Sequence, residues 1–186
     1  MTKPIRENIY WEFPGGTLPT ELIDLTIKRS EDKKRIEGEI ASEETKDKAI
    51  RSVTMVHLDE FDPICLTLYG LTNKANDSVW KYVLSGPSQF ELLFYKEGDH
   101  YDGHQDTMYF DNGMCRKLSV VALLNDEFEG GKFYIQYDFH KDNRLYIDMK
   151  KGSVVVFPPY TLHGVEPVTS GNRISMTGWL TGPNFK

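Results

Sequence analysis

The sequence is poor in cysteine, with only Cys65 and Cys115 among 186 residues. Two isolated thiols make no disulfide framework, so the expectation is reduced, partly buried cysteines in a reducing compartment. Long apolar runs are missing as well. No stretch nears the ~20 residues a membrane-crossing helix requires. Met1-Thr2-Lys3-Pro4 leads into no apolar segment of the kind a secretory leader carries. A cytoplasmic protein follows as the expectation. The third absence is a concentrated basic run: 22 Lys and Arg stand against 28 Asp and Glu, a net charge of −6. Overall charge therefore gives no nucleic-acid signal and does not favour attachment to a membrane surface. No repeat or low-complexity tract marks a second domain, and 1–186 reads as one domain.

What remains is a globular composition, 39% hydrophobic and 12% aromatic, in a chain long enough to bury a core. Residues 1–78 read as a supporting α+β part. Leu22, Ile23, Leu25 and Ile27 mark a helix beginning near Glu21 with Thr20 as its cap. A stretch dense in charge of both signs follows over 29–48, read as a solvated helix face or loop. Residues 52–58 alternate as a strand does. Ile64, Leu68 and Leu71 then repeat at helical spacing, with Pro63 suited to a first turn. From Val79 onward short β-rich runs alternate with turns: 90–95, 118–124, 132–137, 144–149, 153–157 and 173–180. Glu129-Gly130-Gly131, Lys151-Gly152 and Ser170-Gly171-Asn172 punctuate them. Many short strands at this spacing indicate a sandwich or barrel rather than a parallel α/β sheet, so the chain reads as mainly β with supporting helices.

One constellation carries chemistry. His104 and Asp106 are two residues apart, and on a strand both would face one side. Alone, His-x-Asp is more often a polar surface pair. His163 adds weight, because it follows the apolar Val154-Val155-Val156-Phe157 and the rigid Pro158-Pro159 turn. Two imidazoles and one carboxylate are the donor set of the facial triad of non-haem Fe(II) oxygenases, which leaves coordination positions open for a 2-oxo acid and O2. Arg173 opens the next β-like run. A dicarboxylate that chelates a metal at one end needs a cation at the other, and the guanidinium fork matches a carboxylate.

The residues from about Asn73 to Pro183 resemble the PKHD-type (prolyl-hydroxylase-like) Fe(II)/2-oxoglutarate dioxygenases, a family with bacterial and phage members. The resemblance rests on Leu84-Ser85-Gly86, Phe90 to Tyr95, His100-Tyr101, His104-x-Asp106, Arg116-Lys117-Leu118-Ser119 and Glu129-Gly130-Gly131. It continues through Gly152-Ser153, Leu162-His163-x-Val165-x-Pro167-Val168, Gly171-Asn172-Arg173 and Gly178-Trp179. Asp102-Gly103 departs from the pattern, since relatives carry an aromatic residue there. The resemblance implies a double-stranded β-helix (jelly-roll) core over about 79–186. It also implies Fe(II) as cofactor, 2-oxoglutarate and O2 as co-substrates, and ascorbate as an accessory. His104, Asp106 and His163 would hold the metal, Arg173 the co-substrate, and Tyr95, Thr177 and Trp179 the same pocket. The substrate implied is a prolyl residue of a protein or peptide, with another residue or a small molecule left open.

Two turn-rich stretches, 107–114 and 138–143, separate the first two candidate ligands from the third. In the first, Tyr109 and Phe110 are expected to line the mouth of the site. Two other readings keep the fold and change the class. A cupin-like metal protein would supply more histidines, and of the five here His57, His100 and His140 have no matching placement. A non-catalytic, oxygenase-like interaction module would have lost one of the four key residues.

Overall fold

The computed structural model describes residues 9–37, 50–137, 140 and 143–185. The charged 29–48 stretch beyond residue 37, and residues 138, 139, 141 and 142 of the second turn-rich stretch, lie outside them.

Helix α1 spans Thr20–Ser30. Thr20 does not cap it. Extended Pro19 is the cap residue, and its carbonyl accepts from the N–H groups of Leu22 and Ile23, which leaves Thr20 already inside the first turn. Helix α2, Pro63–Ser78, starts as expected: proline stands first and the Asp62 side chain accepts from Ile64 N–H at 3.4 Å.

Among the described residues, fourteen strands form two main sheets and a ribbon, all paired antiparallel. The larger sheet has the order β1 (Trp11–Phe13), β11 (Val154–Phe157), β7 (Met114–Leu123), β14 (Arg173–Pro183), β5 (Gly86–Tyr95), β4 (Thr54–Leu58), β2 (Ile36–Glu37). The smaller has the order β10 (Arg144–Tyr146), β9 (Phe133–Gln136), β12 (Leu162–Val165), β6 (His100–His104), β3 (Arg51–Ser52). The ribbon pairs β8 (Phe128–Gly130) with β13 (Val168–Gly171). Residues 52–58 are thus not one strand, because the chain crosses at Val53 from the smaller sheet into the larger.

Two apolar clusters explain why the strongest runs do not alternate with polar residues. Along β7 and β11, Val120, Ala122, Val154 and Val156 join Ile23, Ile64 and Leu68 of the helices on the outer face of the larger sheet. Their neighbours Val121, Leu123, Val155 and Phe157 face inward to Leu93, Phe133, Ile135 and Val165 between the sheets. A strand buried on both faces reads as an unbroken apolar run. The result is the jelly-roll: a β sandwich with helices against one side. No helix among the described residues is long and apolar enough to cross a membrane. Cys65 and Cys115 are both buried and free.

Candidate active site

His104 and His163 meet because β6 and β12 are hydrogen-bonded neighbours in which these two residues are direct cross-strand partners. His163 therefore sits within a strand of its own rather than at the end of the preceding apolar one. Its ring lies 4.3 Å from that of His104, centroid to centroid, as cross-strand pairing dictates.

Asp106 arrives differently from the expected shared strand. β6 ends at His104, and Asp106 is set by its backbone N–H donating to Pro159 O at 2.8 Å. The Ser119 hydroxyl of β7 donates to Asp106 Oδ2 at 2.7 Å. Asp106 Oδ1 then lies 3.6 Å from His104 Nε2, and Oδ2 3.5 Å from His163 Nε2. One ligand atom from each of the three residues falls within 4.8 Å of the other two.

Both imidazoles are set in the tautomer that a metal requires. His104 Nδ1 lies 2.9 Å from the carbonyl of Asp102, and His163 Nδ1 lies 2.9 Å from that of Thr161. A carbonyl can only accept, so each Nδ1 carries the proton and each Nε2 presents its lone pair inward. Burial, then the neighbouring His104 charge, pushes His163 down to about 4, so it is neutral near pH 7. Burial opposes ionisation of Asp106, but the imidazoles of His163 and His104 and the Ser119 hydrogen bond outweigh it. Its carboxyl is held well below the usual range. Two imidazoles and one carboxylate on a shared focus fit a divalent first-row metal.

The three face a cavity of about 510 Å³ between the sheets. Arg173, at the start of β14, lines it from the larger sheet, beside its cross-strand partner Tyr95 of β5. Arg173 is only 1% exposed. Its NH1 donates to Ser175 Oγ at 2.7 Å, and its Nε has no hydrogen-bond partner. No carboxylate among the described residues pairs with it. Burial pushes the guanidinium down from its ordinary value, with Tyr95 opposing. A buried cation without an anion is costly, and here it faces a metal-binding cluster across a cavity. Gly131 makes room for it: at φ +54, a Cβ there would stand 2.9 Å from Arg173 Cδ.

Thr177 and Trp179 also line the cavity, on the parity of Arg173. Tyr109 and Phe110 do not. The hairpin that carries them closes on itself, with Phe110 N–H donating to Met114 O and Tyr109 bridging to Cys115. This directs the Tyr109 ring into an adjoining groove, while Thr107 and Met108 reach the cavity instead.

The cavity also has a polar lining to which the sequence reading gives no role. Glu91 of β5, 5% exposed, accepts from Gln89 Nε2 at 2.6 Å and lies 3.6 Å from Arg51 NH2. Arg116 lays its guanidinium over the Trp179 ring, 3.8 Å from the centroid, and donates to the Asp106 carbonyl at 3.3 Å. The available signal is a lone polar residue in an otherwise apolar strand, as Glu91 is in Phe90-Glu91-Leu92-Leu93-Phe94 and Ser119 in Leu118-Ser119-Val120-Val121.

A paired-histidine and carboxylate centre inside a jelly-roll, faced by a buried arginine, defines a class of metal-dependent oxygenase folds. Residues 90–181 match the model of the 2OG-Fe(II) oxygenase superfamily, and the chain belongs to that superfamily. Within it, the curated relatives are PKHD-type hydroxylases. The Prochlorococcus marinus protein is 37% identical over 86 residues, 45% of this chain and 37% of that protein. The Shewanella oneidensis protein is 36% identical over 132 residues, 66% of this chain and 58% of that protein. The chain thus spans less than two thirds of the length of these relatives. Among solved structures, a Pseudomonas putida prolyl-4-hydroxylase superposes with a TM-score of 0.69 at 21% identity, covering 97% of this chain and 96% of that one. A viral collagen prolyl hydroxylase from Paramecium bursaria Chlorella virus-1 gives 0.68 at 18% identity, covering 97% and 99%. At such identities these two likenesses speak to the fold.

Proposed function

We propose that this chain is an Fe(II)- and 2-oxoglutarate-dependent dioxygenase that hydroxylates a prolyl residue of a polypeptide, releasing succinate and CO2. The observation that carries the reading is the convergence of His104, Asp106 and His163 across one cavity from the buried, anion-free Arg173. The prolyl substrate draws its support from the relatives, whose descriptions name hydroxylases and prolyl hydroxylases. The two free, buried cysteines support a reducing, cytoplasmic setting.

His104, Asp106 and His163 would hold Fe(II), which when bound supplies the O2 chemistry that couples decarboxylation of a 2-oxo acid to hydroxylation of a C–H bond. The protein's own work is positional. Ser119, by donating to Oδ2, fixes the rotation of the Asp106 carboxylate so that Oδ1 lies toward His104 and Oδ2 toward His163, and the Asp102 and Thr161 carbonyls keep the imidazoles in register. Arg173 supplies the fork for the distal carboxylate, steadied by Ser175. Leu93, Val121, Phe133 and Val165 wall the cavity with apolar surface, which limits water beside the reacting atoms.

The test is Fe(II)-dependent consumption of 2-oxoglutarate without a prime substrate, followed by mass spectrometry of proline-bearing peptides for the gain of one oxygen atom. Succinate release dependent on Fe(II), together with an oxygenated peptide, is the expected result. Metal binding without any 2-oxoglutarate turnover would overturn the reading in favour of a cupin-like metal protein. A second expectation concerns Gly131. Gly131→Ala forces its new methyl against Arg173 in a backbone conformation that side chains disfavour. The KM for 2-oxoglutarate should rise roughly tenfold, about 1.4 kcal/mol, while metal affinity stays unchanged by calorimetry. Loss of metal affinity as well would show that Gly131 supports the whole sandwich instead.

A further inference from the structure

A second cavity, of about 410 Å³, abuts the catalytic one, and Arg173 and Phe133 line both. It lies at the end of the sandwich where β7 finishes and β14 begins. Leu123, the last residue of β7, lines it together with Ile147 and Met149, which lie between β10 and β11. The catalytic cavity runs the other way, along β14 from Arg173 through Ser175 and Thr177 to Trp179. The buried guanidinium thus stands between two chambers. A volume of about 410 Å³ lies within the roughly 300–1,000 Å³ typical of small-molecule sites.

The interior of the second chamber is apolar. Leu123, Phe133, Ile147 and Met149 belong to the cluster between the sheets, and Phe128 packs against that cluster. Gly131 keeps the space between Phe128 and Arg173 open. A Cβ on it would stand 3.4 Å from Phe128 Cε2 and 2.9 Å from Arg173 Cδ. The rim carries Lys132 and Lys150 against Asp126 and Asp148, so its charges cancel. Both rim carboxylates are engaged: Asp148 pairs with Lys150 at 2.9 Å, and Asp126 accepts from Lys151 N–H at 2.7 Å. Arg173 supplies the charge of the interior, and it has donors to spare. Of the five N–H groups of a guanidinium, one meets Ser175 Oγ, and a bidentate carboxylate in the catalytic cavity takes two. Two remain, and Nε has no hydrogen-bond partner.

These features discriminate among ligands. A neutral apolar molecule leaves the buried cation unmet, and a cation is repelled by it. A small inorganic anion leaves the apolar walls unused, and a polyol buries hydroxyls against them without partners. One anionic head on an apolar body satisfies both the walls and the arginine. We propose that this second cavity binds a monocarboxylate with an apolar tail, its head on Arg173 and its tail along Leu123, Phe128, Ile147 and Met149, and that its occupant opposes 2-oxoglutarate. Both anions draw on one guanidinium, so each weakens the other by the same factor. The site rests on the cavity and the arginine alone, whereas the antagonism rests on the oxygenase reading.

Octanoate is the probe, titrated calorimetrically into the whole metal-free chain, with 1-octanol and acetate for comparison. Octanoate should bind saturably. The other two should each be roughly tenfold weaker or more, since 1-octanol lacks the charge and acetate the tail. Phe128→Ala should weaken octanoate roughly tenfold. Trp179→Ala, which alters the catalytic cavity and not the second one, should leave octanoate affinity unchanged. Circular dichroism of each variant shows that it is folded. In Fe(II)-dependent turnover, saturating octanoate should raise the KM for 2-oxoglutarate roughly fivefold or more. Phe128→Ala should need more octanoate for that effect and keep the wild-type KM without it. Equal octanoate affinity in wild type and Phe128→Ala, weakened binding in Trp179→Ala, or 1-octanol binding as tight as octanoate each overturns the site. Octanoate binding with an unchanged KM for 2-oxoglutarate overturns the antagonism. Octanoate binding to a protein that turns over no 2-oxoglutarate overturns the oxygenase reading and leaves the site standing.

Discussion

Asp106→Ala is expected to bring Fe(II)-dependent 2-oxoglutarate consumption to background. Two imidazoles remain after the substitution, but the one anionic donor is gone, and with it the charge that offsets a divalent ion in a buried site. The loss of metal affinity should exceed the roughly 10–100-fold typical of removing a hydrogen-bonding neighbour of a ligand. The position has no local understudy. Asp106 is placed by the Pro159 carbonyl and the Ser119 hydroxyl, neither of which can swing a carboxylate into its place. Calorimetry with Co(II) or Fe(II) under anaerobic conditions, paired with succinate release, measures both effects. Retained turnover would sink the assignment of the metal centre. Ser119→Ala, leaving the carboxylate but freeing Oδ2, should fall between the variant and the wild type.

Arg173→Met is expected to make two large changes of opposite sign. Its guanidinium is 1% exposed and has no carboxylate partner among the described residues. Replacing such a buried ion with an apolar side chain of similar length should stabilise the protein without co-substrate by roughly 1–4 kcal/mol. For a chain of this size that is a rise of about 2–4 °C in Tm for each kcal/mol. The same change removes a bidentate, charge-assisted contact, and should raise the KM for 2-oxoglutarate roughly a hundredfold, or about 3 kcal/mol. Arg173→Lys keeps the charge without the fork and should recover only part of the affinity. Differential scanning calorimetry and steady-state kinetics separate the two effects. An unchanged KM would show that another cation binds the distal carboxylate. A lowered Tm would show that the Ser175 contact outweighs the burial of the charge.

Much of the site is legible in the sequence because its parts are chemically conspicuous. His104, Asp106, His163 and Arg173 are the residue types that a chelated dicarboxylate requires, in an order that motif and spacing preserve. What brings them together is not legible. The pairing of His104 with His163 depends on the register of two strands of five and four residues, with a shift just beyond His163. Strands of two or three residues such as β1, β2 and β3 carry too little periodicity to be seen. They exist because neighbouring edges offer hydrogen-bond partners. The Thr20 cap fails for a local reason, since Pro19 already terminates the extended chain. The displacement of Tyr109 is set by three backbone hydrogen bonds of its hairpin, Phe110 to Met114, Gly113 to Phe110 and Arg116 to Met108. Composition says only that two aromatics stand near a metal ligand. Glu91 and Arg116 fall within the stretches that carry the resemblance but are given no role of their own, because a single charged residue in a strand is ordinary until its surroundings are known to be a cavity.

The two sheets divide the labour in a manner that bears on molecular length. His104 and His163 belong to the smaller sheet and Arg173 to the larger, so the span between chelating end and anchoring end is the thickness of the sandwich at that point. Such a thickness is about 10 Å between packed sheets and is set by the side chains that interdigitate there. Under the proposed function, the protein would gauge a dicarboxylate co-substrate as a caliper does. A dicarboxylate shorter than that span would not reach both ends, and a longer one would have to fold. The jaws are held apart by Leu93, Val121, Phe133, Val155 and Phe157, residues with no polar chemistry of their own. In that reading, selection among 2-oxo acids would reside in the filling of the core as much as in the groups that touch them.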